Sequence, residues 1–153
     1  LNYAYGDLSM TYKLLQHPNT RNGLSDAGAH CGVICDGGMP TFMLTHWVRD
    51  RERGPRLELE HMVKRQTRDT AELHGLCDRG AILPGLRADI NVIDFESLGF
   101  DNPKVVFDLP ANGRRLVQTA HGYVATLVNG VQTVDHDEFT GELPGLLVRG
   151  PQT

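Results

Sequence analysis

An aspartate set among small residues is the first feature with chemical reach. Asp26 lies in the run Gly23-Leu24-Ser25-Asp26-Ala27-Gly28-Ala29-His30. Small neighbours leave room for a ligand or metal to approach the backbone. A carboxylate there can bind a hard or borderline metal, or carry a proton to and from a metal-bound water. The other reading is an Asx turn, in which the side chain bonds its own loop backbone. On residue type alone the turn is the commoner role. Ser25 and His30 flank Asp26 and would contact a substrate in any pocket that the aspartate lines.

His30-Cys31-x-x-x-Cys35-Asp36 places an imidazole, two thiols and a carboxylate within one short stretch. Such donors can suggest zinc. A C-x₃-C spacing without a second matching pair is a weak signal, and two half-buried thiols in a loop are the commoner state. His46, His61, His74, His121 and His136 are scattered, with no H-x-H and no H-E-x-x-H among them. On predicted helices, His46 and His61 have solvated or helix-packing roles. G-x-S-x-G, P-loop and G-x-G-x-x-G patterns are all missing.

The elements that must position these residues change character between Gly75 and Gly85: helical periods come first, short strands and turns after. Asp7 opens a helix with Leu8, Tyr12 and Leu15 on one face, and Pro18 stops it. The segment around Asp26 reads as the end of a buried strand opening into a loop, the place where barrel enzymes keep catalytic groups. A helix starts at Pro40-Thr41, with Leu44, Trp47 and Val48 on one side, and breaks at Gly54-Pro55. Another runs from about Leu57 to His74, with Leu59, Met62, Val63, Gln66, Thr70 and Leu73 sharing a stripe and Gly75 as C-cap. Strands are predicted over 88–95, 123–128 and 131–134. Asn129-Gly130 is the two-residue signature of a type I′ hairpin turn.

Composition excludes several classes. The chain has 153 residues and a net charge of -4, which argues against a general nucleic-acid binder. Basic residues crowd between Arg49 and Arg68, but acids are interleaved, as on a solvated helix face. No apolar run reaches membrane-spanning length and no leader pattern opens the chain. Three cysteines form no disulfide scaffold, so a reducing, cytoplasmic setting is expected. The length suits one domain or a piece of a larger one, and falls short of the ~250 residues of a complete (β/α)₈ barrel.

The order of motifs resembles the amidohydrolase superfamily. Gly23 to His30 is similar to its last barrel-strand motif. Asp78-Arg79-Gly80, Pro84-Gly85, Ala88-Asp89-Ile90, Asp94 and Val128-Asn129-Gly130 match its C-terminal run. Thr41 to Arg49, Thr67 to Leu76, Thr140 to Gly145 and Leu147 to Gly150 look like the N-acyl-D-amino-acid deacylase (D-aminoacylase-like) branch. The resemblance implies a mixed α and β chain: the C-terminal βα units of a metal-dependent hydrolase (β/α)₈ barrel over residues 1–75, then part of a small composite β-sandwich over 76–153. It implies hydrolysis of the amide of N-acylated D-amino acids by a zinc-activated water. Asp26 would be general base and then acid, and a metal ligand only with ligands from earlier strands.

Those earlier ligands, an H-x-H and a bridging group, have no counterpart in this sequence, and Ala27 to Gly38 contain no arginine to hold a substrate carboxylate. The chain by itself is therefore expected to be inactive and to bind no catalytic zinc. It is expected to work with an N-terminal region or to self-associate, without nucleic acid or membrane. The alternatives are a non-catalytic truncated module or assembly subunit, and a related amidohydrolase acting on cyclic amides or dipeptides.

Overall fold

Helices occupy the first half of the chain and antiparallel strands the second in this computed structural model, which describes residues 7–23, 25–27, 32–33 and 35–151. The switch falls where the sequence places it, between the end of the last helix at Leu73 and the first strand at Ile90.

Helix α1 is Ser9–Gln16. The Asp7 carboxylate accepts the Ser9 N–H at 2.8 Å and tightens the entry turn. Helix α2, Met39–Leu44, carries Pro40 in its first turn, where the missing N–H costs nothing. It continues into a π-helical turn, Thr45–Asp50.

The single helix predicted over 57–74 is two: α3, Leu59–Gln66, and α4, Arg68–Leu73. Thr67 breaks it, with φ −115° and ψ −89°. The break rotates α4 relative to α3, so one stripe does not run through both. Met62 and Ala71 are buried, whereas Leu59, Val63 and Leu73 are exposed. Gly75 takes φ +68° as expected of a C-cap. The Gly75 N–H donates to the Glu72 carbonyl and the Leu76 N–H to the Ala71 carbonyl, the paired bonds of a Schellman ending.

The charged run is not a solvated face throughout. Arg51, Arg65 and Asp69 are buried. Arg65 donates to the carbonyls of His17 and Thr20, each at 2.8 Å, and the His61 imidazole bonds the Leu15 carbonyl at 3.2 Å. These are the orphan carbonyls at and just beyond the end of α1, so α3 supplies the cap that α1 lacks. Asp69 lies beside Lys64 and Arg65 and is held below the usual carboxylate range, chiefly by its hydrogen bond from Lys64.

The strands are β1 Ile90–Ile93, β2 Gly99–Phe100, β3 Lys104–Leu109, β4 Gly113–Val117, β5 Ala120–His121, β6 Tyr123–Val128, β7 Val131–Asp135 and β8 Glu138–Phe139. They form one four-stranded sheet in the order β1-β6-β7-β8 and two ribbons, β2-β5 and β3-β4. Every pairing is antiparallel. The predicted hairpin is present: Asn129 and Gly130 have φ +52° and +79°, and Val128 faces Val131. The β3-β4 hairpin was not foreseen.

Both halves share one core. Met43, Leu44, Trp47, Leu57, Met62 and Leu98 are buried together, and Tyr12, Ile93, Phe95 and Tyr123 pack around them. A bond of 2.7 Å between the Thr41 and Tyr123 hydroxyls joins α2 to β6.

The predicted strand end before Asp26 is not formed among the described residues. A parallel barrel strand is held by ladders on both sides. The described residues before Ile90 form no strand that could supply one. The structure therefore shows a mixed α and β chain, with neither a closed barrel nor a sandwich among the described residues.

Candidate active site around Asp26

The Asp26 segment is held by its partner across a loop. The Asp36 N–H donates to the Asp26 carbonyl at 2.8 Å, and the Ser25 hydroxyl donates to the Asp36 carbonyl at 3.0 Å. The Asp36 carbonyl also accepts from Met39 N–H at 3.0 Å, which ties this link to the start of α2. Gly37 packs closely here: a Cβ at that position would sit 3.5 Å from the Ala27 Cβ. Backbone groups and Ser25 thus do the anchoring, and no described residue donates to the Asp26 carboxylate, which is half-exposed. A carboxylate spared structural work can still accept and return a proton.

Ser25 is adjacent, but its hydroxyl is engaged with Asp36. His30 lies outside the described residues, as does Cys31. So does Gly28, on whose N–H an Asx turn from Asp26 would close. Cys35 is a half-buried free thiol and Asp36 is exposed.

Among the described residues no three His, Cys, Asp or Glu side chains group closely enough to hold a metal. Asp26 alone is one donor where a zinc site takes three or four.

Two cavities lie elsewhere. A groove of about 500 Å³ runs between α3 and β1, walled by Leu59, Val63, Ile82, Ile90, Ile93 and Phe95. A second, of about 410 Å³, is lined by Asp7, Leu8, His46, Asp50, Arg51, Glu52 and Arg53. Neither is lined by Asp26 or Ser25.

His46, expected as a solvated or helix-packing imidazole, and Arg51, expected on a solvated charged face, both meet aromatic rings. The guanidinium of Arg51 sits over the Trp47 ring at 4.5 Å and the Tyr12 ring at 5.3 Å. His46 stacks on Phe42 at 4.9 Å. Burial holds the His46 imidazole below its ordinary pKa, and the charge of Arg51 adds to the effect. The available signal was the arginine four residues after a tryptophan, one helical turn away, where stacking is within reach.

No helix among the described residues is long and apolar enough to cross a membrane. No curated protein and no solved structure matches the chain. The motifs read along the sequence do converge with an independent match: the model of the amidohydrolase family aligns with residues 7–134, from the turn that opens α1 to the penultimate residue of β7, and the chain belongs to that family.

Proposed function

We propose that the chain is part of an amidohydrolase of the N-acyl-D-amino-acid deacylase kind, with Asp26 as the group that moves protons. The family match over residues 7–134 carries the hydrolase reading. The Asp26 carboxylate, anchored through its backbone and free of described donors, supports its role.

Amide hydrolysis needs a base to take a proton from the attacking water and an acid to give one to the departing nitrogen. One carboxylate placed between the two can do both in turn. In the family's chemistry a zinc ion supplies the activated water. Its ligands would come from residues outside those described, and the chain by itself is expected not to turn over substrate.

The test is hydrolysis of N-acetyl-D- and N-acetyl-L-amino acids, cyclic amides and dipeptides with Zn²⁺. It is run on the purified chain and on the chain extended by whatever its reading frame encodes upstream. The expected result is no turnover from the chain alone and D-selective release of the free amine from the extended protein. Turnover by the chain alone, at a level that follows its concentration, contradicts the need for further ligands. Cyclic amides or dipeptides as the better substrates contradict the deacylase branch.

A second reading, a non-catalytic assembly module, is favoured by apolar side chains left in solvent. Ile82 is 84% exposed and Leu143 93%. Such surface attracts partners, including an N-terminal region or a second copy. A monomer in light scattering, with no amide hydrolysis in any extended form, would leave neither reading standing.

A further inference from the structure

The single tryptophan of the chain touches two groups that can carry positive charge. The Arg51 guanidinium lies over the Trp47 ring at 4.5 Å, and the His46 ring meets the same indole at 5.2 Å and nearly at right angles. His46 also stacks on Phe42 at 4.9 Å, with the planes 5° apart, and Phe42 in turn meets Phe100 of β2. The His46 Nε2 is buried with no hydrogen-bond partner among the described residues. A neutral imidazole can occupy this seat as one aromatic ring packed among others. An imidazolium fits it badly. Both of its nitrogens donate, one of them has no acceptor, and the ring becomes a second cation against an indole that already holds Arg51.

The charges around the ring do not rescue the imidazolium. The cavity beside His46 is lined by Asp7, Asp50, Arg51, Glu52 and Arg53. Asp7 accepts the Ser9 N–H, Asp50 is chelated by Arg49 at 2.7 and 2.9 Å, and Glu52 and Arg53 are exposed. Beside Phe100, Asp101 accepts the Thr119 hydroxyl at 2.7 Å and the His121 ring lies against Gly99. None of these bonds His46. Burial opposes its charge most, and Arg51 opposes it more than Asp50 favours it. His46 also sits in the π-helical turn Thr45–Asp50, a form with poorer backbone geometry than the α2 helix it continues.

We propose that His46 is an acid-released latch: neutral, it locks the π-helical turn against Phe42 and Trp47, and protonated, it leaves that seat and loosens the helical half on the shared core. The sign follows from linkage. The unfolded chain takes up this proton more readily than the folded one. The contribution of His46 is therefore complete above the ordinary value of 6.5 and is lost as pH falls through the lower folded value. The latch is a property of the fold and does not rest on the hydrolase reading.

The test follows the His46 ring and the Trp47 indole of the whole chain by NMR from about pH 8 to about pH 5, with urea unfolding at about pH 7.5 and about pH 5.5. His46 is expected to titrate below 6.5, and the Trp47 indole resonance to move with the same midpoint. The urea midpoint of the parent is expected to be lower at the acid pH. His46→Phe keeps a flat ring for the Phe42 stack and cannot titrate, so it should lose less on acidification than the parent. The other histidines titrate in both proteins, so the difference between the two belongs to His46. Should His46→Phe fail to fold, the titration of the unaltered chain decides. A His46 midpoint at or above 6.5, an indole resonance that does not follow it, or a folded His46→Phe protein with the full acid loss of the parent overturns the proposal.

Discussion

Replacing the two hydroxyls that join α2 to β6 measures how firmly the helical half is coupled to the sheet. Thr41 is 3% exposed and its hydroxyl meets that of Tyr123 at 2.7 Å, the short end of the O–H···O range. Thr41→Val keeps the shape and leaves the half-buried Tyr123 hydroxyl within reach of water. Its cost is the net value of the bond, about 1 kcal/mol. Tyr123→Phe strands the fully buried Thr41 hydroxyl and costs more, about 1–3 kcal/mol. The double variant removes both partners and falls short of the sum by about 1 kcal/mol. Urea unfolding of the four proteins gives these differences from the midpoints at constant slope. The hydroxyls are 82 residues apart in sequence, so coupling also requires both halves to unfold together. Zero coupling, or two separated transitions, would refute the shared core as the unit of stability.

Three further outcomes follow from particular contacts. Gly122→Ala places a Cβ 2.7 Å from the Leu98 Cα and 2.9 Å from its nitrogen at φ +93°, and backbone there cannot yield. The loss in urea should exceed about 2 kcal/mol, and a change under about 0.5 kcal/mol would contradict the close approach. The Asp69 carboxylate is held low by Lys64, so its stabilising contribution is present above the unfolded value of about 3.9 and fades as pH falls through the lower folded value. Asp69→Asn should therefore flatten the acid side of the stability–pH curve, and an unchanged acid limb would show that the pair contributes nothing. Met62→Ala empties a fully covered position in the core and should cost about 2–5 kcal/mol, read from the same urea midpoints, with a loss below about 1 kcal/mol as the contrary result.

What could be read in the sequence was local chemistry. Asn129-Gly130 dictates its own turn because both positions must take positive φ, and Gly75 ends α4 for the same reason. Pro18 and Asp7 bracket α1 as expected. What could not be read depends on distant partners. Arg65 and Asp69 look like surface charges until α1 brings its unmet carbonyls against them. Leu59 and Val63 share the helical stripe of Met62 but face an open groove instead of the core. The β3-β4 hairpin turns through Ala111 and Asn112 at φ +57° and +58°, and an alanine there gives no warning. At the candidate site, Asp26 stood out by its small neighbours. Its link to Asp36 and to the start of α2 could not be foreseen, because it runs through backbone groups that carry no sequence signature.

Asp26 is the residue proposed to move the proton in amide hydrolysis. Its most direct test is Asp26→Asn in the active extended protein. The Asp26 carbonyl, not its carboxylate, holds Asp36, so asparagine should fold with an unchanged melting temperature. The expected result is a fall in kcat of about 10²–10⁴ with little change in KM. A folded Asp26→Asn protein that keeps its kcat would contradict the claim.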